Sequence, residues 1–267
     1  MDKLINFHFS PQRHLNAILV AAIILSINLT LFQKITDIQQ IALASLVIAV
    51  VIFRVWTIFH LALLAFIMSV SEFFPSLLNS MPALLFLTQF ILSTLCILPF
   101  AQTRTTLSWA TWGKLDRTSL ALSLATGLLS TIALVLWATW SDNLGIGVHM
   151  MQGLAEVPNW LVLCIVIPSF ALINAFIEEI IYRGVFQEAL QRVLQRNDLV
   201  LILQASAFAA VHFAAGFPNG YMGYSMVFVY GWMLGYLRIR SQGLMAPYLA
   251  HVISDLTIGY YLFIYVL

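Results

Sequence analysis

The sequence predicts an all-α fold, a polytopic membrane bundle of about eight to nine transmembrane helices, and three observations carry that reading. The first is composition: of 267 residues, 61% are apolar and 9% charged, and the mean hydropathy is +0.95. A soluble domain carries about 45–50% apolar and about 25% charged residues. The 12 Lys and Arg and 11 Asp and Glu of this chain cannot cover a globular surface with water-compatible groups, which excludes a soluble fold. The second is that apolar runs near the span length of about 20 residues recur along the whole chain. The third is that basic residues gather on alternate connections, as the positive-inside rule requires. The net charge of +1 provides no basic field for nucleic acid, so none is expected as a partner.

Taken in order, the first run is Leu15–Phe32, preceded by Lys3 and Arg13. It is long for a signal-peptide core and no small-x-small cleavage site follows it, so an uncleaved first helix is expected. Gln39–Phe53 and Val55–Val70 are short and separated only by Arg54; they are either two spans or one long tilted helix. Met81–Phe100, Thr118–Trp140, Pro158–Phe176, Leu199–Phe213, Tyr224–Leu237 and Leu244–Leu267 complete the set. With nine spans and the N-terminus inside, one side holds Lys3, Arg13, Arg54, Arg104, Lys114, Arg117, Arg192, Arg196, Arg238 and Arg240, and the other holds Lys34 alone. Eight spans break this alternation, so nine are preferred. Residues 1–157 are expected to form N-terminal transmembrane helices of unassigned role, and 158–267 a four-helix core that carries the chemistry.

Several polar residues need no chemical role. Cys96 and Cys164 lie in apolar runs and read as small core hydrophobes. His60 reads as a packing histidine and Gln89 as a cross-helix hydrogen bonder. Trp109, Trp112, Trp137, Trp140 and Tyr260 suit interfacial belts.

The stretch from Ile173 to Asp255 is different, because it concentrates ionisable residues within apolar helices: Glu178, Glu179, Arg183, His212, His251 and Asp255. Insertion scales place an Arg, Lys or Asp at a helix centre at roughly +2.5–3.5 kcal/mol, so such residues need a reason. Mutual pairing that holds the bundle is one; a reaction site is the other. Glu179 and Arg183, four apart, share a helix face and form an ion pair. Glu178 is turned about 100° away, with Asn174 and Tyr182 above and below it. A carboxylate left without a cation in such surroundings suits a general base or acid. Glu178 and His212 lie equally far from position 195, so an antiparallel hairpin puts them at similar depth, where a carboxylate and an imidazole can hold and deprotonate one water. His251 and Asp255, four apart, also share a face, where a carboxylate can fix a histidine tautomer. Phe208 is one turn from His212 and reads as packing. Gly231 and Gly235 form a GxxxG of close helix packing.

The run Glu178-Glu179-x-x-x-Arg183, then Phe208-x-x-x-His212, then His251-x-x-x-Asp255 resembles the CAAX protease and bacteriocin-processing family, intramembrane glutamate-dependent endopeptidases that include the type II CAAX prenyl endopeptidases. The likeness covers Ala171 to Asp255, under a third of the chain. It implies that Glu178 activates the attacking water with His212, that Glu179 and Arg183 are a structural ion pair, and that His251 and the residue at 255 stabilise the oxyanion. It implies no cofactor, a membrane-associated peptide or protein as substrate (a prenylated C-terminus, a leader peptide or a membrane segment), and a multi-pass location in a bacterial plasma membrane. Asp255 departs from the better-known pattern, which has Asn there. An ionised carboxylate only accepts hydrogen bonds and repels an oxyanion, so Asp255 acts either protonated in its apolar site or by orienting His251.

Two other functions compete. Glu178, His212 and His251 can instead be read as zinc ligands with an open position for water, although HExxH is missing. A catalytically silent scaffold that regulates another membrane protein is the non-enzymatic alternative, and Asp255 is its support.

Overall fold

A computed structural model describes residues 37–75, 82–141, 146–194, 196–215 and 217–267, together with 18 and 22. Apart from those two positions, the expected first span Leu15–Phe32 lies outside the described residues. Among the described residues the regular structure is helical, with no strand.

Helix α1 (Asp37–Ile52) and α2 (Phe59–Ser69) are separate elements. Arg54 takes φ +55° between them, a left-handed turn that ends α1. Gln40 Nε2, near the start of α1, donates to the Ser69 carbonyl at the end of α2 at 3.2 Å, so the two fold back as a hairpin. The reading of this segment as one long tilted helix is thereby corrected. At 16 and 11 residues, these helices are about 24 Å and 17 Å long, short of the hydrocarbon thickness of about 30 Å. Helix α3 (Pro82–Ile97) packs on α2. There His60 behaves as expected, buried with Nε2 3.2 Å from Ser93 Oγ. Gln89 Nε2 donates to Ser71 Oγ at 3.3 Å.

Helix α4 (Arg117–Trp140) starts on Asp116, whose side chain accepts from the Ser119 N–H at 2.7 Å. That bond, with Arg240 beyond it, holds the Asp116 carboxyl below the usual carboxylate range. The packing of α4 is polar inside and apolar outside. Leu120, Leu124, Leu128 and Ile132, spaced by four, are exposed, whereas Ser119, Ser123, Thr126 and Gly127 are buried. In water this order would expose a large apolar face; in lipid it is the arrangement helix association needs, since small residues bring backbones together and hydroxyls bond across. Ser123 Oγ donates to the Ala246 carbonyl at 2.8 Å, and Thr131 and Thr257 hydroxyls lie 2.7 Å apart, joining α4 to α9. The same logic corrects the cysteines: Cys96 and Cys164 are free and exposed, on faces that lipid covers as readily as a core would.

A short helix α5 (Ile146–Gln152) follows α4. Helix α6 (Asn159–Leu194) is 36 residues long and carries π-helical turns at Val162–Val166 and Ile180–Phe186. Helices α7 (Asn197–Ala215), α8 (Gly220–Ser241) and α9 (Met245–Val266) follow. By length and composition, α4, α6 and α9 are apolar enough to cross a membrane; α1, α2, α3 and α7 contain shorter apolar helices. The main core joins Leu61 and Leu64 of α2 to Ile181, Phe186 and Leu190 of α6 and to Phe208 of α7.

Two of the basic residues expected on one side, Arg192 and Arg238, meet at Glu188. Glu188 Oε1 accepts from Arg192 Nε at 3.1 Å, Glu188 Oε2 lies 3.7 Å from Arg238, and Arg192 also donates to Ser108. The 101–116 connection is clamped there by backbone bonds, from Lys114 N–H to the Ser241 carbonyl (2.7 Å) and from Leu244 N–H to the Thr111 carbonyl (2.9 Å). Two glycines allow the approach. Gly113 takes φ +73°, and a Cβ on Gly243 would stand 2.0 Å from Gly113 N and 2.1 Å from the Trp112 carbonyl carbon. Because backbone cannot retract as a side chain does, Gly243→Ala is expected to destabilise by about 1–3 kcal/mol, read as an earlier thermal unfolding in detergent; unchanged melting would show that the clamp is not formed. Trp109 within this connection is buried against Phe90 and Gly184, which corrects its expected place in an interfacial belt.

Candidate active site

Three helices bring the sequence-predicted residues to one cavity of about 1180 Å³. α6 supplies Glu178, α7 His212 and α9 His251 and Asp255, and all four line it. α3 and α4 add apolar wall at Leu87 and Leu134, which gives part of the N-terminal segment a contact with the site.

Glu179 and Arg183 sit beneath this cavity. The turn that follows Glu179 is π-helical, yet the pair still meets, with Arg183 Nη1 donating to Glu179 Oε1 at 3.0 Å. Both are fully buried, with side chains 1% and 0% exposed. Arg183 Nη2 donates to the Gly231 carbonyl at 3.2 Å, and its guanidinium lies 4.3 Å over the Phe208 ring. Phe208 does more than fill space: its ring contacts Tyr182, His212 and His251 edge-on at centroid distances of 5.0, 4.9 and 5.9 Å. The GxxxG of α8 lets this happen. A Cβ on Gly231 would come 3.0 Å from Phe208, and one on Gly235 would come 2.4 Å from Gln204 Nε2. The bared carbonyls then accept hydrogen bonds, Gly231 from Gln204 and Gly235 from Gln187.

His251 is held differently from the expectation based on its i+4 neighbour. Its Nδ1 lies 2.7 Å from Glu179 Oε1, so a carboxylate from α6 fixes the ring, while Asp255 Oδ1 is 3.7 Å from Nε2. Asp255 is too far from that nitrogen for a hydrogen bond. With Nδ1–H committed to Glu179, Nε2 faces Glu178 Oε2 at 3.5 Å. Asp255 Oδ2 instead accepts from Asn174 Nδ2 at 3.2 Å.

His212 Nδ1 lies 3.0 Å from the Phe208 carbonyl one turn back. A carbonyl only accepts, so Nδ1 carries the proton and the neutral ring offers the Nε2 lone pair. Glu178 is not without partners. Its Oε1 accepts from Asn174 Nδ2 at 3.2 Å, and its Oε2 accepts no hydrogen bond among the described residues. The site thus holds one carboxylate oxygen and one imidazole nitrogen, each with an open lone pair, in a mostly apolar cavity. That pairing can orient a water and take its proton.

Sequence reasoning treated Asn174 only as a helix neighbour of Glu178; the i−4 spacing was its signal. It did not single out Ser254, whose Oγ lies 2.8 Å from the Tyr230 hydroxyl and 2.9 Å from Ser130 Oγ, tying α9 to α8 and α4 beside Asp255. The atoms from which a zinc site would be drawn, on Glu178, His212 and His251, face the same cavity. Among the described residues no three His, Cys, Asp or Glu side chains are grouped so as to hold a metal ion.

Residues 158–257 match the family model described as "Rce1-like: Type II CAAX prenyl endopeptidase Rce1-like". That segment, which holds α6 to α8 and most of α9, is similar to this family, in agreement with the resemblance of its three motifs. No curated protein and no solved structure matches the chain.

Proposed function

We propose that this chain is an intramembrane endopeptidase that hydrolyses a peptide bond of a membrane-associated peptide or protein, with Glu178 as the base. The observation that carries the reading is the pair of open acceptors, Glu178 Oε2 and His212 Nε2, lining one cavity beside His251. A water between them loses a proton to Glu178 as its oxygen adds to the substrate carbonyl carbon. The oxyanion forms against the protonated ring of His251, which as an imidazolium gives Nδ1–H to Glu179 and keeps an Nε2–H to donate. One such donor lowers the barrier by about 2.7–4 kcal/mol. The proton held by Glu178 then passes to the departing amine, and water is consumed in full. Glu179 and Arg183 do no chemistry here; they set the position of His251 and of α8. No metal takes part in these steps. The location is a membrane, and the bilayer is part of the environment of the substrate.

Asp255 decides between this reading and the silent scaffold. If it contributes only its contact with Asn174, an amide in its place donates rather than repels. Asp255→Asn is therefore expected to keep or raise activity; a folded but dead Asn variant would remove Asp255 from the list of tolerable departures and make its carboxyl necessary.

The test uses wild type, Glu178→Ala and His212→Ala in the host cell. Membrane-associated peptides are quantified by mass spectrometry, and metal content is measured on each purified protein. An unprocessed peptide that accumulates in both variants, with metal-free folded protein, supports the glutamate-base peptidase. Stoichiometric metal and loss of processing with a chelator would transfer the reading to zinc. Folded variants that leave every peptide unchanged would leave the scaffold.

A further inference from the structure

We infer that Asn174 is a positioning residue of the site, an amide whose two hydrogens tie Glu178 to Asp255 and thereby leave the second oxygen of Glu178, beside His251, as the one without a partner. Asn174 lies one turn before Glu178 on α6 and lines the cavity with it. Its Nδ2 is 3.2 Å from Glu178 Oε1 and 3.2 Å from Asp255 Oδ2. A carboxamide has two N–H donors on one nitrogen, and both partners are carboxyl oxygens, so the nitrogen and not Oδ1 faces them. One side chain therefore meets both acid groups of the cavity, one from its own helix and one from α9.

The consequences are directional. Holding Oε1 of Glu178 leaves Oε2 as the oxygen without a hydrogen-bond partner, 3.5 Å from His251 Nε2. The same amide draws Asp255 Oδ2 toward α6, which turns that carboxyl away from a direct hydrogen bond with His251, where Oδ1 stays at 3.7 Å. Two acid groups this near one another repel when both are charged and collapse onto other donors when neither is held. The amide prevents both. It also accounts for how a site with Asp at 255 keeps an amide donor: the donor stands on α6 instead of α9.

This role rests on the endopeptidase reading for its effect on turnover, and not for its effect on the two carboxyl groups. Asn174→Ala is expected to slow turnover of the peptide that accumulates with Glu178→Gln by about 100-fold, the scale of a small misplacement of a reacting group, with KM unchanged. Asn174→Asp is expected to be worse alone and to regain part of its loss when joined to Asp255→Asn, because an amide at 255 restores the bond between 174 and 255 though not the one to Glu178; a side chain that merely filled space would show no such recovery. Wild-type turnover in Asn174→Ala, with Glu178→Gln inert, overturns the role and leaves the peptidase standing. If Glu178→Gln itself retains activity, the peptidase reading falls, and infrared spectra of purified protein still decide Asn174. The carboxyl bands lost in Glu178→Gln and in Asp255→Asn are both expected to move in Asn174→Ala; bands that stay in place refute the tie.

Discussion

Glu178→Gln is expected to abolish processing while leaving the protein folded. Gln has nearly the shape of Glu, and its Oε1 still accepts from Asn174 Nδ2, which binds that oxygen at 3.2 Å. What disappears is the atom that takes a proton. General acid–base catalysis contributes about 10²–10⁴-fold, and in the proposed mechanism the same group receives the proton of water and returns it to the amine, so the loss is expected at the upper end of that range. His212→Ala is expected to lose about as much, since it removes the other lone pair that orients the water. The double variant is expected to be no worse than either single one, because groups that act on one water fail together. The measurement is the time course of peptide cleavage by purified protein, with thermal unfolding as the folding control. Cleavage by Glu178→Gln at the wild-type rate sinks the glutamate-base mechanism. Additive losses in the double variant would place His212 in a separate step.

What the sequence disclosed about this site and what it hid divide along a physical line. The Glu179–Arg183 pair was readable because i,i+4 geometry is local, and the helix keeps it even though a π turn follows Glu179. The shared cavity of Glu178 and His212 was readable because two helices joined by a short turn bring residues equally far from it to one depth. The same local rule failed for His251. Spacing offered Asp255 as its partner, but the nearer carboxylate is Glu179, 72 residues away, at 2.7 Å. Helix packing and register, which no single-helix period encodes, settle that contest. Asn174 was hidden for the same reason, as half of its role is a bond to α9. Hydropathy could mark Thr118–Trp140 as a helix but not say which face points inward, since lipid and protein core are equally apolar. Cys96 and Cys164 were misplaced on that account. The α1–α2 break was half legible: Arg54 marked the interruption, while the fold-back needed the Gln40–Ser69 contact.

Arg183→Ala is expected to destabilise the fold by about 3–5 kcal/mol, the penalty for leaving one member of a buried ion pair unmatched. Three contacts end together: the 3.0 Å bond to Glu179, the 3.2 Å bond to the Gly231 carbonyl and the stack 4.3 Å over Phe208. The first matters most, because Glu179, 1% exposed, then keeps only His251 as a partner among the described residues. Loss of the other two loosens α8 and α7 from α6 at the position where Gly231 admits the close approach. Arg183→Lys is expected to fall between wild type and Ala: a Lys keeps the charge, but a compact ammonium does not replace a planar fork that serves an acid, a carbonyl and a ring at once. The decisive comparison is Glu179→Gln combined with Arg183→Met. It removes both charges, and Gln still accepts from His251 Nδ1. Its thermal unfolding in detergent is expected well above that of Arg183→Ala, since no buried charge is left without its partner. If the double variant melts as early as Arg183→Ala, the stabilisation comes from the arginine's contacts with α8 and Phe208 and not from matching the Glu179 charge.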